Sequence, residues 1–176
     1  MAKEKFPTAA AFLPRKPTLE ALRSAAAQCR GCDLWSDEAL IAAGIDKSNV
    51  YITNAVKHFN WAPDQRGKRR IHKKPRYSEI QACRPWLDAE IALTRPRVII
   101  CLGATAAQAL LGKEFSVMRQ RGKFVPSSLA PRVMATVHPS SILRAQDDES
   151  RREQKQTFIG DLRIAAREIH RLSRAA

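Results

Sequence analysis

Arg97–Leu102 reads R-V-I-I-C-L, and Gly103-Ala104-Thr105 leads it into an apolar helical pattern that stops at Gly112. A continuous β-branched run of this kind predicts a strand buried on both faces. The glycine supplies the conformational freedom for the turn into the helix. Strand, glycine turn and helix make up the half-unit of an α/β sheet. Arg132–Val137 repeats the buried-strand signal and opens directly into His138-Pro139-Ser140-Ser141. The expected architecture is α/β, with a short, mainly parallel sheet between helices.

The rest of the chain supplies helices and connections around that sheet. Residues 1–17 contain three prolines and read as a loose basic tail, which leaves 18–176 as a single domain. Thr18 is a plausible N-cap for a helix running to about Cys29 through Leu19 and Leu22. Ser36 caps a short helix, Asp37–Ala43, closed by Gly44. Val50–Thr53 is the first convincing strand. Ser78 with Gln81 makes a capping-box signature for a helix to about Thr94, which Pro85 should kink or tighten. Phe115–Val125 reads as two short strands around Gly122. A long helix from about Glu149 to Arg174 puts Phe158, Leu162, Ala165, Ile169 and Leu172 on one stripe. Its other face carries Arg151, Arg152, Lys155, Arg163, Arg167 and Arg171.

Net charge is +14, which points to a phosphate polymer as partner, with counterion release supplying much of the affinity. The excess is concentrated between Arg66 and Arg76, where seven Lys/Arg occur with no acid. That many cations cannot be desolvated in a core, so the segment is a solvated face or a polyanion-binding loop. His72 lies in its middle. No segment approaches the roughly 20 apolar residues of a membrane span, and Ala9–Leu13 is too short for a secretory signal. The expectation is a cytoplasmic, nucleoid-associated protein whose cysteines stay reduced.

In that setting C-R-G-C, Cys29 to Cys32, indicates a metal or redox centre. Gly31 allows the tight turn that brings both sulfurs to one centre. Neither zinc nor an iron–sulfur cluster is satisfied by two thiolates, so two further ligands are needed. Cys101 lies inside the R-V-I-I-C-L strand and reads as a small buried apolar residue. Cys83, near the start of a helix beside the basic loop, is the better third ligand. His58, following the Val50–Thr53 strand, is better placed for the fourth position than His72 or His138.

The motifs T-N-A-V-K-H-F, K-R-R-I-H, A-C-R-P-W-L, L-G-A-T-A-A-Q-A-L-L-G and V-H-P-S-S-I-L-R together resemble the UdgX branch of the family 4 uracil-DNA glycosylases. The resemblance covers nearly everything from Gln28 onward. It implies a four-iron four-sulfur cluster held by Cys29, Cys32, His58 and Cys83, because His58 stands where ordinary family 4 members have a cysteine. It implies excision of uracil from DNA, single-stranded DNA in particular, by a monomer. A glycosylase acts on a base flipped out of the stack. Asn54 offers a donor beside an acceptor for uracil N3–H and O4, Ser140 joins the substrate contact, and His138 hydrogen-bonds O2 as the uracil anion departs. By the same resemblance His72 attacks the anomeric carbon and leaves the protein attached to the abasic DNA, with Arg70 positioning the loop. The surrounding cations should disfavour protonated His72 and so favour the nucleophilic imidazole. Lys68, Arg69, Lys73, Lys74 and Arg144 are the implied DNA contacts.

One departure from the family pattern stands out. Asp33-Leu34-Trp35 runs straight into Ser36-Asp37-Glu38, where the family carries a strand ending in a G-E-Q-P-G-like turn and then an F-V-G-P-A-G-like stretch. The resemblance therefore implies one central strand fewer, without the acidic group and the stacking aromatic of that segment. The alternative is a non-catalytic DNA-binding protein that keeps the iron–sulfur cluster, or one in which three Cys and one His hold tetrahedral zinc.

Overall fold

The computed structural model describes residues 38–57, 61–63 and 70–174. The tail over 1–17, the helix over 18–29 with Cys29 and Cys32, the Ser36 cap and the Trp35–Ser36 junction lie outside the described residues, as do His58, Lys68 and Arg69. In chain order the elements are α1 (Glu38–Ala43), a 3-10 turn (Lys47–Asn49), β1 (Trp61–Pro63), β2 (Arg70–His72), α2 (Tyr77–Thr94), β3 (Val98–Leu102), α3 (Gly103–Leu111), α4 (Val117–Gln120), β4 (Phe124–Val125), β5 (Arg132–Thr136), α5 (Pro139–Ile142) and α6 (Asp148–Arg174).

The central sheet has the order β3-β5-β4. β3 and β5 run parallel, from Val98 opposite Arg132 to Leu102 opposite Thr136. β4 pairs antiparallel with β5 through Phe124–Met134 and Val125–Val133. Period-2 alternation sorts the side chains onto two faces. Cys101, Val133 and Ala135 form one core with Ala107 of α3 and Val117 of α4. Ile100 and Leu102 pack toward the other core, made by Phe158, Leu162 and Ala166 of α6 with Ala43, Ile45 and Ile142. The α/β expectation is met, with helices on both faces of the sheet.

Full burial belongs to β5, where Val133 through Thr136 are all at 0% exposure. β3 was expected to match it and does not: only Cys101 is buried, and its neighbours are half-buried. The reason is position. β5 takes one edge of β3, and no described strand takes the other.

Val50–Thr53 also departs from expectation. It joins no ladder among the described residues, and Tyr51 and Ile52 are 60% and 68% exposed. A strand exists only with a neighbour for its N–H and C=O groups, and this segment has none among the described residues.

Three local readings are corrected as well. Val117–Gln120 is a helical turn rather than a strand, since the Ser116 carbonyl accepts from the amides of Arg119 and Gln120. Only Phe124–Val125 of that stretch is strand. The cap of α2 is Arg76 with Glu79 rather than Ser78 with Gln81: Glu79 Oε2 accepts from the Arg76 amide at 2.8 Å. Helix α2 runs through Pro85 to Thr94. Finally, the basic segment is not all loop, because Arg70–His72 pairs antiparallel with Trp61–Pro63 in a small hairpin.

Candidate active site

His138 follows β5 and is the N-cap of α5, with Pro139 at the first helical position. Its Nδ1 lies 3.1 Å from the Ser140 amide nitrogen and 2.8 Å from Ser140 Oγ. A backbone N–H can only donate, so Nδ1 must present its lone pair, and the hydrogen-bond pattern assigns the ring proton to Nε2. Desolvation, and secondarily the charge of Arg144, holds the imidazole below its ordinary pKa. The residue is exposed at the C-terminal end of the central strand. The result is a neutral imidazole that presents an N–H donor, suited to a carbonyl oxygen on which negative charge develops.

The backbone around His138 is tightly specified. Gly103, at the β3–α3 turn, has φ +84°, and a Cβ there would stand 2.9 Å from His138 Cβ. Glycine meets both the conformation and the close approach. Beneath, Asp161 of α6 accepts from Arg121 Nε at 2.8 Å and from Thr136 Oγ1 at 2.5 Å. Arg121 Nη2 also reaches Thr136 Oγ1 at 3.3 Å. Asp161 is 8% exposed and Thr136 0%, so this buried polar triad is satisfied internally and ties α6 and the α4–β4 turn to the end of β5.

Asn54 stands in a different setting. It follows the unpaired Val50–Thr53 segment, is exposed, and makes no hydrogen bond among the described residues. Ala55 and Val56 tuck against Ile80 and Leu87 of α2 and Ala109 of α3. Lys57 Nζ reaches both oxygens of Glu90 on α2, at 2.8 and 2.7 Å, and Thr53 Oγ1 donates to Glu90 Oε2 at 2.8 Å.

The remaining expected site residues are dispersed. Arg70 and His72 belong to β2, opposite Pro63 and Trp61. Lys73 and Lys74 are exposed between that hairpin and α2, and Arg144 is exposed just past α5. Cys83 is a half-buried free thiol on α2. It is the only one of the four expected cluster ligands among the described residues, and no group of three His, Cys, Asp or Glu converges there within them. Cys101 is 2% exposed, and burial pushes its thiol up to about 12, which suits a packed strand residue. A groove of about 610 Å³ runs beside α2, lined by Asp88, Ile91, Arg95, Ser127, Leu129 and Pro131. It includes neither Asn54 nor His138.

Sequence reasoning singled out His138 and Asn54 as candidates and missed the contacts that hold them. Gly103 was legible as a turn glycine, whereas its contact with His138 was not. Asp161 and Glu90 lie on long helices with no local signal that separates them from other helical acids. Their partners lie 25 residues away for Thr136 and 33 for Lys57.

No helix among the described residues is long and apolar enough to cross a membrane. The profile of the uracil DNA glycosylase superfamily matches residues 9–163. The chain is 36% identical over 116 residues to a type-4 uracil-DNA glycosylase of Thermotoga maritima, covering 65% of this chain and 56% of that protein. It is 32% identical over 114 residues to a type-4 uracil-DNA glycosylase of Pyrobaculum aerophilum, with 61% and 54% covered. A type-4 uracil-DNA glycosylase of Archaeoglobus fulgidus is 30% identical over 132 residues, with 71% and 62% covered. The chain thus spans little more than half the length of the relatives it matches.

Proposed function

Because the chain belongs to the uracil DNA glycosylase superfamily, we propose that it excises uracil from DNA and captures the resulting abasic sugar through His72. The single observation that carries the excision step is the state of His138: neutral, with Nδ1 occupied by Ser140 and an N–H left to donate. In this reading the C1′–N1 bond breaks with its electron pair leaving on uracil. His138 Nε2–H donates to uracil O2 as the negative charge grows there. Asn54 reads N3–H and O4, which cytosine cannot match. Family membership favours this enzymatic reading over DNA binding without chemistry.

Capture is read from the K-R-R-I-H segment, which resembles the UdgX branch. The lone pair of a neutral His72 imidazole nitrogen forms a bond to the oxocarbenium carbon C1′. The alkylated ring then gives up its other N–H proton to solvent and becomes neutral, while the uracil anion takes up a proton. An ordinary glycosylase would deliver water to C1′ instead. Arg70 positions the β2 segment, and Lys68, Arg69, Lys73, Lys74 and Arg144 hold phosphates of single-stranded DNA. Cys29, Cys32, His58 and Cys83 form a donor set suited to a four-iron four-sulfur cluster, which supplies structural cross-linking in this reading. The protein acts as a monomer in the cytoplasm.

The test is incubation with a uracil-containing single-stranded oligonucleotide, following released uracil and any protein–DNA species that survives denaturing electrophoresis. The expected result is uracil release with an adduct that His72→Ser abolishes. An adduct that persists in His72→Ser would falsify His72 as the nucleophile.

A further inference from the structure

We infer that Glu90 of α2 is the positioning residue for Asn54, holding the uracil-reading segment in place by side-chain hydrogen bonds where no sheet ladder among the described residues holds it. The inference rests on the assignment of Asn54 to substrate recognition. Val50–Asn54 joins no ladder among the described residues, so strand pairing within them does not fix where Asn54 points. The fixed points are side chains, and they converge on one carboxylate.

Lys57 Nζ contacts Glu90 Oε1 at 2.8 Å and Oε2 at 2.7 Å. Thr53 Oγ1 donates to Oε2 at 2.8 Å, and Lys57 Nζ is 2.7 Å from Thr53 Oγ1, closing a ring. The residues on either side of Asn54 are therefore tied to the same group three helical turns into α2.

Tyr51, Ile52, Thr53 and Asn54 are all exposed, so burial does not fix the chain ahead of the bend. Between Thr53 and Lys57 the chain bends, with Ala55 and Val56 packed on Ile80 and Leu87. Asn54 thus stands at the outer edge of a bend closed by the Thr53–Glu90–Lys57 ring. The Lys57 and Glu90 side chains are 22% and 27% exposed, so the ring is more shielded than an ordinary surface ion pair. No other acid among the described residues bonds this segment.

The experiment compares the full chain with Glu90→Ala, Glu90→Gln, Asn54→Ala and the double variant Glu90→Ala/Asn54→Ala. Cleavage within 51–57 by a nonspecific protease is expected to accelerate roughly 10-fold in Glu90→Ala, since proteolysis follows the population in which the segment is released. Amide exchange in β5 should be unchanged, and Glu90→Gln should recover part of the resistance to cleavage. Single-turnover uracil excision should fall about 10- to 100-fold from misplacement of the reading group, while affinity for uracil-free single-stranded DNA stays within about twofold because it rests on charge. Adding Glu90→Ala to Asn54→Ala should cost nothing further, the mark of two residues acting through one function. Unchanged cleavage within 51–57, or strictly multiplicative losses in the double variant, would overturn the inference. If the unmodified chain excises no uracil, the proposed function fails, and the cleavage comparison alone decides whether Glu90 holds the segment.

Discussion

The two candidate residues, His138 and Asn54, are held by opposite means. His138 grows out of β5, a strand paired on both sides and buried over four consecutive residues. It is fixed by a helix cap, a glycine at contact distance and a buried acid–base triad. Asn54 ends a segment that joins no ladder among the described residues and is exposed from Tyr51 onward, held by one carboxylate and by the packing of Val50, Ala55 and Val56. A backbone ladder specifies position with many bonds, each weak and mutually supporting. A side-chain clamp does it with a few, and a single substitution can release it. The position of His138 is therefore robust, and that of Asn54 is adjustable.

The largest effect should come from giving the Asn54 segment what His138 has. Inserting the strand-bearing segment of a type-4 relative after Trp35 supplies a neighbour for Val50–Thr53. Uracil excision is expected to rise on the order of 100-fold, the scale set by about 1 Å of misplacement at a reacting group. Single-turnover kinetics on uracil-containing DNA measure it. Equal rates in both chains would show that the Asn54 segment needs no ladder.

The second effect removes what the position of His138 depends on. Asp161→Ala leaves the Arg121 guanidinium and the Thr136 hydroxyl without their shared acceptor. Breaking a mostly buried pair in this way costs about 3 kcal/mol, read as a lower midpoint in urea denaturation. Glu90→Ala, in the more solvated clamp, should shift the same midpoint by less than about 1 kcal/mol. Similar shifts for both variants would remove the contrast between the two residues.

How much of this was legible in the sequence follows the same division. β3, β5, α3 and the apolar stripe of α6 could be read because period, β-branching and a turn glycine are local signals. Val50–Thr53 has strand composition, yet whether it pairs depends on a neighbour elsewhere in the chain. The burial of β3 was overestimated for that reason too, since composition does not reveal which strand is an edge. Val117–Gln120 is too short for its period to separate one helical turn from a strand. At the start of α2, Arg76 and Glu79 out-compete the Ser78–Gln81 signature because Glu79 reaches back to the Arg76 amide. His138 and Asn54 were visible in motifs. Asp161 and Glu90 were not, because they act across 25 and 33 residues of sequence.

The smallest effect is a pH dependence confined to His138. His138 is held below its ordinary pKa by desolvation and then by Arg144. The folded state therefore disfavours the imidazolium, and the stability this contributes is present above about pH 6.5, the unfolded value, and is lost as pH falls toward the folded value. Protonation also puts a hydrogen on Nδ1, where the Ser140 amide needs an acceptor. Excision should decline on the acid side with an apparent pKa below that of a free histidine, and Ser140→Ala should move that pKa, whereas Glu90→Gln should not. A profile that moves with Glu90 instead would assign the titration to the clamp.

The most direct measurement is a denaturing gel of the 176-residue chain after incubation with matched single-stranded oligonucleotides carrying uracil, cytosine or thymine at one position. The account predicts a protein–DNA band with the uracil strand alone, accompanied by free uracil and absent in His72→Ser and in Asn54→Ala. Neither band nor free uracil with the uracil strand, or a band of equal strength with cytosine, would contradict it.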